Sequence, residues 1–199
     1  MLYREKAINT LPKDYHIIRH SNITFQELPF FEKINLRGDP NNDFILKNSK
    51  ILGSVLPVAP NTYTHTYTKD KKLKVIWLGP NEWLIVIEYQ SEKNDIFSKL
   101  QSSNNDKETS VTDVSENRTI IRISGEKLFI LLSKFLTLDL DKNLSDQLCC
   151  AQTLFAKVPI LLVSNNPYEE IPEIDLFINR SHANYIYNLL VDGTKNLDF

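Results

Sequence analysis

The chain has 199 residues, 42% of them hydrophobic and 24% charged, with a net charge of −2 at neutral pH. That is ordinary globular composition, in a length that suits one large domain or two small lobes around a real core. The Lys and Arg residues are scattered, which argues against a nucleic-acid face. No run approaches the roughly 18 apolar residues of a membrane span, and the charged start "MLYREKAINT" has no apolar signal region, so a soluble cytoplasmic protein is expected.

In chain order, residues 1–32 read as an extended segment with one strand, "ITFQEL" (23–28). "KINLRG" (33–38) alternates as a strand. "DPNNDFILKNSKILG" (39–53) reads as a helix, with Asp39 as its N-cap, Pro40 in the first turn and Gly53 as its stop. "VLPVAPNTYTHTYTKDKK" (55–72) reads as a loop or extended arm broken by Pro57 and Pro60. A hairpin follows: Lys74 to Leu78, a Gly-Pro-Asn turn, and Trp83 to Tyr89. "SEKNDIFSKL" (91–100) is a short helix and "QSSNNDKETS" (101–110) a polar loop.

The second half predicts a strand "TIIRISG" (119–125) and a helix "EKLFILLSKFL" (126–136) with Leu128, Leu131, Leu132 and Phe135 at helical spacing. "CCAQTLFAKVPILLVSN" (149–165) reads as one long strand, or two bent near Pro159. "EIDLFINR" (173–180) alternates, and "SHANYIYNLLVDG" (181–193) reads as a helix with Ser181 as N-cap and Gly193 as stop. Both halves therefore run strand-Gly, helix, strand, strand, helix. The offset is 87 between Gly38 and Gly125 and 90 between Ser91 and Ser181. The expected fold is α+β: two similar β-α-β-β-α lobes from an internal duplication, each a small, mostly antiparallel sheet with helices on one face. The expected division is an extended segment 1–32, a first lobe 33–105 and a second lobe 106–199.

Both tryptophans, Trp77 and Trp83, sit in the hairpin "KVIWLGPNEWLIVIEY". Two readings stand: the rings fill the core, or one ring faces a partner. The wording is more specific than the composition. "LRGDP" (36–40), "LGSVLPVAPNT" (52–62), "WLGPNEWLIV" (77–86), "VTDVSENRTIIRISG" (111–125), "CAQTLFAKVPILL" (150–162) and the closing "FINRSHANYIYNLL" resemble, in that order, the gamma subunit of heterotetrameric sarcosine oxidase. The resemblance covers about residues 34 to 192. Cys149 departs from the small residue expected there, and Cys is itself small and easily buried.

The resemblance implies a gamma chain of a four-subunit flavoenzyme that demethylates sarcosine to glycine, giving hydrogen peroxide and, with tetrahydrofolate, methylenetetrahydrofolate. It implies alpha, beta and delta subunits as partners. It places FAD, FMN, NAD, tetrahydrofolate and zinc on those other chains, with no cofactor, metal or catalytic residue on this one. It also implies a fold shared with the folate-binding aminomethyltransferase, or T-protein.

The residues were also weighed for chemistry of their own. His16, His20, His65 and His182 form no metal-ligand pattern, and adjacent Cys149 and Cys150 lack CxxC spacing. Cys150 with His182 would be the only nucleophile arrangement, and a buried strand cysteine is usually inert. Asp113 and Arg118 read as a turn with Arg118 reaching a carboxylate across the sheet, or as a polar site in a cleft. Glu82 reads as a turn carboxylate. Asp113 and Glu82 are the carboxylates available to a stand-alone folate-binding or aminomethyltransferase-like protein, which is the alternative function. Lys157, inside an apolar run, would snorkel, pair or meet a partner. Gly38 and Gly125 belong to no phosphate-binding motif.

Overall fold

The computed structural model describes residues 5–8, 17–20, 22–91, 95–144, 148–165, 171–195 and 197, with only the backbone at 17–20 and at 42. Its elements in chain order are β1 (Ile17–His20), β2 (Ile23–Glu27), β3 (Glu32–Arg37), α1 (Asn42–Leu52), β4 (Tyr63–Tyr67), β5 (Lys71–Gly79), β6 (Glu82–Gln90), α2 (Ile96–Ser103) and β7 (Ser110–Asp113). They continue with β8 (Arg118–Ser124), α3 (Leu128–Ser133), α4 (Leu140–Leu144), β9 (Cys150–Phe155), β10 (Val158–Ser164), β11 (Glu173–Asn179), a 3-10 turn (Arg180–His182) and α5 (Ala183–Thr194).

The fold is α+β with two antiparallel sheets, in strand orders β1-β2-β8-β11-β10-β9 and β4-β5-β6-β3-β7. Contacts divide the chain into two compact units, one of residues 30–116 and one of residues 1–29 with 117–199. A repeated order is present in both, with one strand more per repeat than the expected β-α-β-β-α: β-α-β-β-β-α. β3, α1, β4, β5, β6, α2 correspond to β8, the α3–α4 pair, β9, β10, β11, α5, and the sheet order β4-β5-β6-β3 repeats as β9-β10-β11-β8.

In the 30–116 unit, every second strand residue faces the helices: Ile34 and Leu36 on β3, Leu73 and Val75 on β5, Trp83, Ile85 and Ile87 on β6. Phe44 and Leu52 of α1 and Ile96 and Leu100 of α2 close this core. Asn41, not Asp39, caps α1, its Oδ1 accepting from the Phe44 N–H at 2.8 Å. Gly53 ends α1 at φ 60°, the left-handed conformation that a glycine stop requires. The stretch read as an arm contains β4, and β5 starts three residues earlier than the hydrophobic run suggests.

Trp83 is fully buried, stacks at a tilt on Phe44 with centroids 5.6 Å apart, and donates its indole N–H to the Pro57 carbonyl at 2.8 Å. The core reading of this ring is the observed one. Burying a Trp removes about 150–250 Å² from water, worth roughly 4–6 kcal/mol. Trp77 pairs with Trp83 across the hairpin and is half-buried, and an irregularity between Trp77 and Gly79 breaks the alternation expected there. Gly38 is required by close approach, since a Cβ there would lie 2.3 Å from the Phe44 ring.

In the other unit, Ile23 and Phe25 of β2, Ile121 and Ile123 of β8, Ile160 and Leu162 of β10 and Ile174, Leu176 and Ile178 of β11 face α3, α4 and α5. The predicted helix over 126–136 is shorter, and its apolar spacing is served by α3 alone: Leu128, Leu131 and Leu132 are fully buried. Helix α4 had no sequence counterpart. The 149–165 stretch is a hairpin rather than a bent strand. Ala156 and Lys157, both at positive φ (45° and 73°), form its two-residue turn, and Pro159 sits inside β10. Neither predicted serine cap is used. Asp95 caps α2, and α5 begins after the 3-10 turn with no side-chain cap bond.

The N-terminal segment is fastened to this unit by Glu27. Its carboxylate, buried on β2, accepts from the Ala7 and Ile8 N–H groups (2.9 and 3.3 Å) and the Thr119 hydroxyl (2.8 Å). Arg180 adds a bond to the Glu5 carbonyl at 2.7 Å, and Ile8 is buried in the core.

Two outcomes follow for stability, both read by urea unfolding followed by far-UV circular dichroism. Trp83→Phe removes the indole bond and leaves the Pro57 carbonyl without it, a loss of about 1–3 kcal/mol, while Trp83→Ala adds a cavity and loses about 3–5 kcal/mol. Glu27→Ala strips three donors of their acceptor and is expected to cost about 2–4 kcal/mol, with amide exchange at Ala7 and Ile8 rising first. Wild-type midpoints for either variant would contradict the assigned roles.

Candidate functional site

The segments that resemble the family in the 30–116 unit meet at one end of the sheet. Leu36 lies opposite Trp83 and Arg37 opposite Glu82 in the β3–β6 register, and the Gly38 N–H donates to the Asn81 carbonyl at 3.2 Å. The "LPVAPNT" loop joins them through the Pro57 carbonyl on Trp83 and the Thr62 carbonyl, which accepts from the Trp77 N–H at 3.0 Å. Glu82 Oε1 takes both the Asn35 amide (2.7 Å) and the Arg37 guanidinium (2.9 Å). The carboxylate is a pin between two strands, and the half-exposed Arg37 pair contributes little on its own.

Beside this pin lies an open cleft of about 490 Å³, bordered by Arg37, Asp39, Asn81, Lys107, Glu108 and Ser110. Two cations, Arg37 and Lys107, and two anions, Asp39 and Glu108, border it, so the cleft has no net charge preference. Asp106 next to it is held below the usual carboxylate range by hydrogen bonds from Thr109 and Glu108, and is a turn residue.

The other predicted residues are separated. Asp113 accepts from the Ser115 N–H (2.9 Å) and hydroxyl (2.5 Å), forming a turn, and is exposed. Arg118 starts β8 in the other unit, paired in register with Asn179. A carboxylate pair across that sheet is formed by Arg122 and Asp175, joined by two bonds of 2.7 and 3.0 Å. His65 is exposed and stacked on Tyr67, and His182 meets the Ser181 hydroxyl at 3.4 Å. His16 lies outside the described residues, and of His20 only the backbone is described. Cys149 is half-buried, Cys150 is buried on β9, and both are free thiols. Lys157 is exposed at its turn. Among the described residues no group of three His, Cys, Asp or Glu is arranged to hold a metal.

Sequence reasoning missed the buried cations. Lys33 is nearly solvent-free, and its ammonium donates to the Phe31 and Ser115 carbonyls (2.8 and 3.0 Å) and sits 5.0 Å from the Phe30 ring. Lys74 is equally buried, 3.9 Å from Glu88. The only sequence signal was one-sided: Phe31 lies two residues before Lys33 and Ile76 two residues after Lys74, with Asn35 and Lys72 on the other sides. Glu32 beside Lys33 is raised above the usual carboxylate range, first by burial and then by Asp113 and Asp95.

Comparison with known proteins converges on one family. Residues 37–196 match the sarcosine oxidase, gamma subunit family. Two relatives named sarcosine oxidase subunit gamma, from Corynebacterium sp. strains P-1 and U-96, are 24% and 26% identical over 140 residues. Each match covers 70% of this chain and spans just under two thirds of the relative, 66% and 65%. In structure, the chain is similar to one in heterotetrameric sarcosine oxidase from Corynebacterium sp. U-96 in complex with pyrrole 2-carboxylate. The TM-score is 0.76 at 21% identity, covering 92% of this chain and 89% of that one. Glycine cleavage system aminomethyltransferase T from Bartonella henselae shares the fold at TM-score 0.58 and 12% identity, over 84% of this chain and 45% of the enzyme. With most of its length matched, the chain belongs to the sarcosine oxidase gamma subunit family.

Proposed function

We propose that this chain is a non-catalytic, architectural subunit of a heterotetrameric sarcosine oxidase. The assembled enzyme would demethylate sarcosine oxidatively to glycine and hydrogen peroxide and, with tetrahydrofolate, to 5,10-methylenetetrahydrofolate. On this reading the alpha, beta and delta subunits are its partners. FAD, FMN, NAD, tetrahydrofolate and zinc reside on them, and the complex works in the cytoplasm. The observation that carries the reading is the family match over residues 37–196. The fates of the ionisable side chains support it. Glu82, Asp113, Glu27 and Asp175, which could have served chemistry, are each engaged in bonds that hold strands and turns.

The fold shared with aminomethyltransferase T favours a second reading, a stand-alone folate-binding or aminomethyltransferase-like protein. It is the weaker one, because the two carboxylates available to a pterin are committed to Arg37 with Asn35 and to Ser115. Fold likeness alone does not transfer a ligand.

A thiol nucleophile is disfavoured on physical grounds. Burial, and secondarily Cys149, push the Cys150 thiol up to about 12, so near neutral pH it carries almost no thiolate.

The test is co-expression with the three other chains and capture on a tag carried by this one. All three are expected to co-purify, while this chain purified alone is colourless and turns over no sarcosine. Flavin absorbance or oxidase activity in the single chain would refute the non-catalytic assignment. Stabilisation of the single chain by tetrahydrofolate would favour the second reading. For Cys150, native protein treated with iodoacetamide at neutral pH is expected to leave it unlabelled until urea opens the fold. Rapid native labelling at that position would overturn its inert role.

A further inference from the structure

The longest uncharged stretch of this chain is on its surface. From Ile51 to Thr68, eighteen residues in a row, there is no Asp, Glu, Lys or Arg, in a protein that is 24% charged. Leu52, Ser54, Leu56, Pro57 and Tyr63 within it are buried, and the residues between them face outward. Val55 is 64% exposed, Val58 67% and Tyr67 52%, and Ala59, Pro60, Asn61 and His65 are also exposed. Depletion of charge with retention of aliphatic and Tyr side chains is the compositional mark of an interface centre.

The backbone under these side chains is held in place. The carbonyls of Gly53, Val55, Pro57 and Ala59 accept in turn from Thr66, Thr64, Trp83 and Thr62, and the Leu56 N–H donates to the Ser49 hydroxyl. Pro57 and Pro60 fix two φ angles more. A loop this constrained gives up little entropy when it is covered, so Val55 and Val58 are displayed ready for contact. The stretch also contains β4, an outermost strand of its sheet. Exposed edge strands ordinarily carry a charge or a proline against unwanted pairing, and "YTHTY" carries neither.

We propose that the uncharged strip from Gly53 to Tyr67 is the surface through which this chain docks on another subunit, against a partner face that is apolar and uncharged. The proposal rests on the subunit reading above. The similar chain of known structure comes from a heterotetramer, and that favours a different chain as the occupant. A lipid headgroup or nucleic acid would call for a cluster of Lys or Arg here, whereas of the lysines bordering the strip Lys72 is engaged with Glu88 and Lys71 with the Leu52 carbonyl.

The test uses the assembled enzyme. Full-length chain carrying Val55→Asp and Val58→Asp, co-expressed with the three other chains, is expected to capture at least tenfold less of them than the unmodified chain, with an unchanged thermal melt. Amides 53–67 of the unmodified chain are expected to exchange more slowly in the assembled enzyme than in the free chain. That second measurement decides the matter even if the double variant folds poorly. Equal capture by variant and unmodified chain, or unchanged exchange at 53–67, overturns the surface and leaves the subunit reading standing. Failure of the unmodified chain to capture any of the three overturns both. A dimer of the isolated chain that the double variant makes monomeric would give the strip to a second copy instead.

Discussion

A strand inside a sheet must have hydrogen-bond partners on both sides, and that requirement shapes this molecule. β3 obtains β6 from its own repeat, and β8 obtains β11. Neither repeat contains a second partner. The missing neighbours are β7 on β3 and β2 on β8. β2 precedes β3 in sequence yet pairs with β8, and β7 precedes β8 yet pairs with β3. Each linking segment thus serves the opposite repeat, and this is why the unit containing β8 takes in residues 1–29 while the other stops at Glu116. The glutamate that closes β2 consequently also fastens residues 7 and 8, and Ser115 just past β7 bonds the Lys33 N–H of β3 at 2.9 Å.

That constraint separates what the sequence made legible from what it concealed. The existence of a repeat could be read because it rests on local periodicity and on strand-ending glycines, Gly38 before α1 and Gly125 before α3, but each repeat has three strands, not two, between its helical elements. Of the two strands that complete the sheets, β2 could be read as "ITFQEL" but not its partner, and β7 could not be read at all, since "SVTD" is four polar-leaning residues whose strand character comes from its pairing with β3. β4 was hidden for a related reason: alternating Tyr and Thr favour a strand, but the prolines just before it read as loop. Caps misled at Asp39, Ser91 and Ser181 because several capping residues stood within reach, and side-chain identity alone does not choose among them.

Around the candidate site the same division holds. The "LRGDP", "LPVAPNT" and "GPNEW" segments are far apart in sequence, and their meeting point at Trp83 depends on the β3–β6 register and on one indole bond. Glu82 was correctly singled out as a turn carboxylate, but its partners Asn35 and Arg37 lie on a strand 45 or more residues away, beyond local reasoning. Arg118 drew attention as the arginine of a turn motif, while Arg122, one residue from the core position Ile123, also pairs with a carboxylate across the sheet. A buried charge needs its complement on the adjacent strand, and only sheet order identifies Asp175 as that complement.

The distribution of charge completes the physical argument for an architectural role. Catalysis by side chains requires ionisable groups held away from their ordinary protonation and left able to react. Here Lys33 and Lys74 are buried deepest and work as fasteners: one holds two carbonyls, the other neighbours a carboxylate. The exposed stretch that is most tightly braced, between Gly53 and Asn61, has no ionisable side chain at all. Rigidity is thus spent on displaying Val55 and Val58, and charge is spent on joining strands. That arrangement agrees with the architectural role proposed above: the braced strip offers shape and apolar area for contact, and the ionisable groups named here hold strands together.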